Sequence, residues 1–207
     1  MSTAQLRELL NSAAMVGLTL DQYVRMIDAG ILPEGEPIEL LDGFLVRKDR
    51  SKAGEDPMTV GFGHVWAVKN LSRVLSEAES HGCHVGVQQP VALPPDCAPE
   101  PDGAITRGTP DDYRVRYPSA ADIPCIIEVS DSSLQHDRVT KRRIYAEAGI
   151  EQYVLINLVD GVVEVFASPV PAIGTYERDM VLRPGEVVRF STGNGQGIDV
   201  EVVRLLP

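Results

Sequence analysis

Two carboxylates stand in positions that suggest more than surface charge. Asp102 follows Pro101 at the start of one extended run, and Glu128 sits inside the apolar run Cys125-Ile126-Ile127-Glu128-Val129. A carboxylate embedded in such a run is costly to bury without a cation or a hydrogen-bond donor. The segment between them is long enough to bring adjacent strands side by side. Mg²⁺ usually takes one or two protein carboxylates together with water and substrate phosphate, so two hard oxygen ligands on neighbouring strands suit it. The plainer alternative is that Asp102 caps a turn and Glu128 pairs with an arginine.

Lys141 shifts that balance. On a helix after Glu128, residues 137, 141, 145 and 148 share a face, so Lys141 points with Tyr145 and Ala148 toward the sheet. An ammonium aimed at a metal-bound carboxylate pair could position or help to deprotonate an attacking water and stabilise developing negative charge. The competing reading is an Asp137–Lys141 surface pair at i, i+4, worth about 0.3–0.5 kcal/mol. In that reading Arg138, Arg142 and Arg143 form an ordinary solvated face.

The elements that must hold these residues follow from periodicity. Leu6, Leu9, Leu10 and Ala13 give helical spacing over residues 3–16, and Thr19 with Gln22 has the spacing of a capping box before the stripe Leu20, Tyr23, Val24, Ile27 that ends at Gly30. From Pro37 the period becomes two, and Asp42-Gly43 turns Ile38 to Leu41 into Phe44-Leu45-Val46 as a hairpin or bent strand. Arg47 to Pro57 reads as a loop. A long helix is expected between Thr59 and His81, with His64 on its buried face. Extended runs follow at about Cys83 to Leu93, Pro101 to Thr106 and Ile123 to Val129 as consecutive antiparallel strands. A helix from about Leu134 to Ala148 stops at Gly149, Tyr153 to Asn157 is a strand buried on both faces, and Asp160-Gly161 turns it into Val162 to Ala167. Runs near Val187 to Phe190 and Ile198 to Leu205 look like an extension of the sheet. The order helix, three strands, helix, strand predicts a mixed α/β class with a mainly antiparallel sheet.

The 207 residues are 43% hydrophobic, which excludes wholesale disorder, and carry a net charge of −11, which argues against a surface that simply coats nucleic acid. Cys83, Cys97 and Cys125 have neither the number nor the spacing of a disulfide framework or zinc site, and read as reduced, buried thiols. His81-x-Cys83-His84 is too closely spaced for a metal site. Gly193-Asn-Gly-Gln-Gly197 lacks the strand, helix and lysine of a phosphate loop and reads as a turn. Arg7, Glu8, Asn11 and Ser12 interrupt any signal-peptide core, and no uncharged apolar stretch approaches the ~18 residues of a membrane span, so a cytoplasmic location without a membrane is expected.

Taken together, Pro101-Asp102, Ile126 to Ser130, Lys141 to Tyr145 and Ala148-Gly149-Ile150-Glu151-Gln152-Tyr153-Val154-Leu155-Ile156-Asn157 resemble the Uma-two family of restriction endonucleases, within the PD-(D/E)XK nuclease superfamily. The resemblance runs from the Ile38 to Gly43 segment to about Phe166. It implies a restriction-endonuclease-like core over about residues 37–167; the N-terminal helices over 3–30 read as a cover and the runs over 168–207 as a C-terminal β extension, in a single domain spanning 1–207. It implies that Asp102 and Glu128 bind Mg²⁺, or Mn²⁺, and that Lys141 is the catalytic lysine. The superfamily's usual lysine lies two residues after the strand acid, where this chain has Ser130; in this family the following helix is thought to supply it.

Glu39 matches an acidic family position and stands as an additional metal ligand or outer-shell group, or equally as a solvent-facing strand residue. His64 matches a histidine often seen there, and could orient a ligand carboxylate or contact a phosphate, or be a satisfied structural group. The expectation is thus a metal-dependent endonuclease acting on DNA, engaging it weakly near the basic group from Arg138 to Arg143. The alternative is an inactive nuclease-fold protein that binds or assembles. The C-terminal extension could supply a homodimer interface, although nothing in the sequence demands one.

Overall fold

The structure is a computed structural model that describes residues 16–33, 35–48 and 61–207. The helix expected over 3–16 and most of the expected loop from Arg47 to Pro57 fall outside the described residues. The described chain forms two compact units. The smaller comprises residues up to Lys48 with Ala92–Pro99; the larger comprises residues 61 to Val91 and Glu100–Pro207.

In the smaller unit, helix α1 (Leu20–Asp28) begins at the expected capping box. The Gln22 N–H donates to the Thr19 hydroxyl at 3.2 Å and the Thr19 N–H to the Gln22 side-chain oxygen at 2.9 Å, satisfying two N-terminal donors. Strands β1 (Ile38–Leu41) and β2 (Phe44–Arg47) form the expected hairpin. Asp42 and Gly43 adopt φ of 52° and 79°, the left-handed pair that a tight two-residue turn requires, and a Cβ on Gly43 would lie 3.0 Å from the Gly17 Cα. Tyr23, Leu40 and Ala98 form the unit's core, with a bridge between Leu40 and Ala98.

That bridge corrects the strand expected over Cys83 to Leu93. In the larger unit β3 is short (Cys83–Gly86), and the chain then departs to lay residues 92–99 in the smaller unit. Gln88 at φ 50° and the prolines Pro90, Pro94 and Pro95 interrupt ladder pairing, which explains why the apolar run does not continue as one strand.

The larger unit is built on a six-stranded sheet, β3-β4-β5-β6-β7-β8, with β4 (Gly103–Arg107), β5 (Cys125–Ser130), β6 (Gln152–Asn157), β7 (Val162–Val170) and β8 (Thr175–Leu182). All neighbours are antiparallel except β5 and β6, which run parallel because a helical crossover joins them. Helix α2 (Phe62–Val74) precedes β3 and ends in a 3₁₀ turn, Ser76–His81. The crossover helix α3 spans residues 134–147 as an α-helical turn Leu134–His136, a π-helical turn Asp137–Lys141 and an α-helical Arg142–Glu147.

The C-terminal region departs from expectation in two ways. Strand β8 was not anticipated: Tyr176 is its one buried residue, so an edge strand reading Tyr-Glu-Arg-Asp-Met carries almost no apolar alternation. Strands β9 (Val187–Gly193) and β10 (Gln196–Glu201) do not extend the sheet but pair as a separate hairpin across the Gly193 to Gly197 turn.

Alternation along the strands divides the sheet into two faces. Ile105, Cys125, Ile127, Val129, Val154 and Ile156 pack with Leu71 and its neighbours on α2 and with Val188, Phe190, Ile198 and Val200 of the hairpin. Each such buried aliphatic contributes about 1.5–3 kcal/mol. The alternate residues Glu128, Ser130, Tyr153, Asn157 and Glu164 are buried on the other face, the α3 side. The three cysteines are buried free thiols, as expected. Among the described residues no helix is long and apolar enough to cross a membrane.

Candidate functional site

The β4–β5 register brings the two acids together. Gly103 lies opposite Ile127, so one further antiparallel step sets Asp102 opposite Glu128 on one face of the sheet. The acids sit 7% and 3% exposed. Asp102 Oδ2 accepts the Val129 N–H at 2.9 Å, and Glu128 Oε2 meets the Asp102 N–H at 3.4 Å. Asp102 therefore does more than cap a turn, and Glu128 pairs with a lysine rather than an arginine.

That lysine is Lys141. Its Nζ donates to Glu128 Oε1 at 2.8 Å, and the Tyr145 hydroxyl donates to the same oxygen at 2.7 Å. The inward face expected for α3 is thus observed. The competing surface pair is not: Asp137 and Lys141 are 3% and 4% exposed, and Asp137 Oδ2 accepts both the Ser130 and Ser133 hydroxyls at 2.6 Å. The π-helical turn coincides with this inward-facing segment of the helix. The Arg142 N–H reaches the Asp137 carbonyl, an i→i−5 bond, and the Tyr153 hydroxyl donates to that same carbonyl at 3.2 Å. The widened turn is the segment that carries Lys141, a placement common for π-bulges at functional positions.

His64, on the first turn of α2, places Nε2 3.4 Å from Asp102 Oδ1. Burial alone lowers the His64 pKa, but the hydrogen bond and charge of Asp102, the Glu128 charge and a hydrogen bond to the Val129 backbone outweigh it and hold the imidazole above its ordinary value. Burial likewise raises the Asp102 pKa, yet the hydrogen bond and charge of His64, the Val129 N–H and the Lys141 charge hold it below the usual carboxylate range.

Among the described residues no cluster of three or more His, Cys, Asp or Glu side chains is arranged to hold a metal ion. A cation here would rest on the Asp102 and Glu128 carboxylates. Their donor chemistry fits Mg²⁺ or Mn²⁺: two hard oxygen ligands face each other, one oxygen of each is fixed by short donors, and the other is engaged at 3.4 Å, a distance weak enough for an ion to displace. Glu39 belongs to the smaller unit. It is 2% exposed, with the Lys48 ammonium 3.8 Å from Oε1, so it is not the solvent-facing strand residue that its alternation allowed.

The basic group beside Lys141 is committed internally. Arg138 Nε donates to Glu164 Oε2 at 2.9 Å and its Nη2 reaches Asp160 at 3.4 Å; Arg143 pairs with Glu147 at 2.5 Å; the Arg142 guanidinium lies 5.0 Å over the Phe166 ring. Sequence reading missed Tyr145 as a partner of Glu128, and also the polar layer of Ser130, Asp137, Asn157 and Glu164. The available signal was Glu128 and Ser130 at alternate positions of β5, on the face that α3 covers; Asn157 on β6 and Glu164 on β7 each stand among apolar residues of that face.

A family model described as "Putative restriction endonuclease", Uma2, matches residues 20–201. The chain belongs to the Uma2 family. The fold agrees: a crystal structure titled as a putative nuclease belonging to DUF820 from Anabaena variabilis is similar, with a TM-score of 0.66 at 18% identity, covering 91% of this chain and 97% of that one. The restriction-endonuclease-like architecture expected from motif order is therefore the observed one. A search of curated proteins finds no match.

Proposed function

We propose that this member of the Uma2 family is a metal-dependent endonuclease that hydrolyses phosphodiester bonds in DNA. The observation that carries the reading is the approach of Lys141 to within 2.8 Å of a carboxylate on β5 that faces a second carboxylate, Asp102, immediately before β4. Asp102 and Glu128 would hold Mg²⁺, or Mn²⁺ in its place. When bound, such an ion supplies Lewis-acid polarisation of the phosphate and a lowered pKa for a coordinated water.

The chain's own residues do the rest. Tyr145 and Lys141 both donate to Glu128 Oε1 and so orient its second oxygen toward Asp102. His64 and the Val129 N–H fix Asp102 in the same way. Lys141 keeps a positive charge beside the carboxylate pair, where it stabilises negative charge developing on the phosphate oxygens and holds the attacking oxygen in place.

Plasmid cleavage with Mg²⁺ or Mn²⁺ tests this. Asp102→Asn, Glu128→Gln and Lys141→Met, each checked for native circular dichroism, should lose at least about 100-fold in rate. Cleavage at equal rate by wild type and all three variants overturns the assignment. A non-catalytic nuclease-fold binding protein is the second reading, favoured by the net charge of −11 and by the internal pairing of Arg138 and Arg143. Calorimetry in which Mn²⁺ binds wild type but not Asp102→Asn favours the nuclease; absence of binding to wild type favours the second reading.

A further inference from the structure

The outward face of α2 is unexplained by the carboxylate site. Phe62 is 98% exposed and Trp66 41%, an i, i+4 pair that lies on one side of the helix, with Val65 at 36% beside them. Lys69 and Arg73 continue the same stripe one and two turns on, and both are exposed. Lys69 has no ion pair among the described residues, while Arg73 uses Nε on the Asn70 side chain at 2.8 Å. The inner face buries Ala67, Val68, Leu71 and Val74, while Phe62 stands clear of the core and Trp66 leaves part of its ring in solvent. Two large apolar rings left in water beside two cations mark a binding surface.

The stripe begins in the helical turn that carries His64, but His64 projects from the opposite side of that turn, where its Nε2 lies 3.4 Å from Asp102. The N-terminal turn is also packed tightly: a Cβ on Gly63 would lie 3.3 Å from the Pro207 side chain, and one on Gly61 3.2 Å from Asp131 Oδ2. The aromatics are thus carried by a fixed element.

We infer that Phe62, Trp66, Lys69 and Arg73 form a platform for single-stranded DNA. Unpaired bases stack on Phe62 and Trp66, while Lys69 and Arg73 meet the phosphates. The inference deepens the proposed nuclease reading and rests on it for the purpose of the platform. Duplex binding draws on many phosphate contacts, and an acidic chain whose arginines beside the site are internally paired has few cations to offer. Stacking on aromatic rings requires no net charge, and needs bases that are not paired.

The test uses the full chain in EDTA, which prevents metal-dependent cleavage. Trp66 is the single tryptophan, so its emission reports one position. A saturating thymidine oligonucleotide should quench it, whereas a duplex of equal length should not. By anisotropy of a labelled oligonucleotide, Phe62→Ala and Trp66→Ala should each weaken single-strand binding about tenfold. The double variant Lys69→Gln, Arg73→Gln should flatten the salt dependence by about 1.4 in log–log slope, at roughly 0.7 for each phosphate contact. Unchanged emission, or affinities of both alanine variants within twofold of wild type, overturns the platform. So does a Trp66 emission shift that follows protein concentration without DNA, which assigns the stripe to a second copy of the chain. Because binding is read without cleavage, a protein that binds in this way yet never cuts overturns only the nuclease reading, and one that cuts DNA without the stripe's contribution overturns only the platform.

Discussion

At the scale of single residues, Glu128 is the organising group. A carboxylate buried this deeply is stable because Lys141, Tyr145 and the Asp102 N–H supply donors, two of them at 2.7–2.8 Å. Tyr145→Phe keeps the ring against Tyr153, 5.2 Å away, and removes one donor. Urea denaturation should show a loss of about 1–2 kcal/mol, and metal-dependent cleavage should fall about tenfold; an unchanged rate would mean that Lys141 alone orients the carboxylate. Asp122 offers a cleaner test of linkage, away from the site. The Arg116 guanidinium, 2.7 Å away, leads the Ser119 N–H and hydroxyl in holding its carboxyl well below the usual range. A folded-state pKa below the unfolded one contributes stability that is present above about pH 4 and is lost as pH falls through the folded value. Asp122→Asn should therefore cost on the order of 1 kcal/mol at pH 7 and progressively less as pH falls below about 4, read from denaturation midpoints.

At the scale of elements, the site is an intersection of two strands and two helices. The Asp102–Glu128 pairing follows from antiparallel register, and the approach of α2 to β4 depends on Gly103. A Cβ there would lie 2.8 Å from Leu71 Cδ1 and 3.5 Å from Ile127 Cβ, and Leu71 is fully buried with no room to yield. Gly103→Ala should destabilise by about 1–3 kcal/mol, seen as a lower thermal midpoint; no change would mean that α2 shifts freely over the sheet. The inward direction of Lys141 was legible from helical spacing because Asp137, Lys141 and Tyr145 repeat at four. The π-helical turn was not legible. Its widened hydrogen bonding is coupled to the Tyr153 hydroxyl on β6, a contact between residues distant in sequence. Strand β8 escaped for a different reason: an edge strand buries little, so it need not alternate.

At the scale of the whole chain, the charge of −11 acquires a distribution. Arg138, a cation that its place beside Lys141 would offer to DNA, is instead engaged in a polar layer with Glu164, which is 6% exposed and also accepts from Asn157 at 2.9 Å. Arg138→Ala should then act on stability, by about 2–3 kcal/mol in denaturant, because it leaves a buried carboxylate short of a charged partner. DNA affinity should move less than twofold; a large loss of affinity with stability intact would restore the helix as a DNA contact. The class of fold, the order of its core elements, the two acids and the inward lysine were determined by the sequence itself, because period, turn residues and the cost of burying charge are local properties. Which donors satisfy those charges, which arginines remain for a ligand, and where residues 92–99 go were decided by the tertiary structure alone. Those outcomes depend on pairings between segments far apart in the chain, and a linear pattern records the demand of each buried group for a partner without recording which partner meets it.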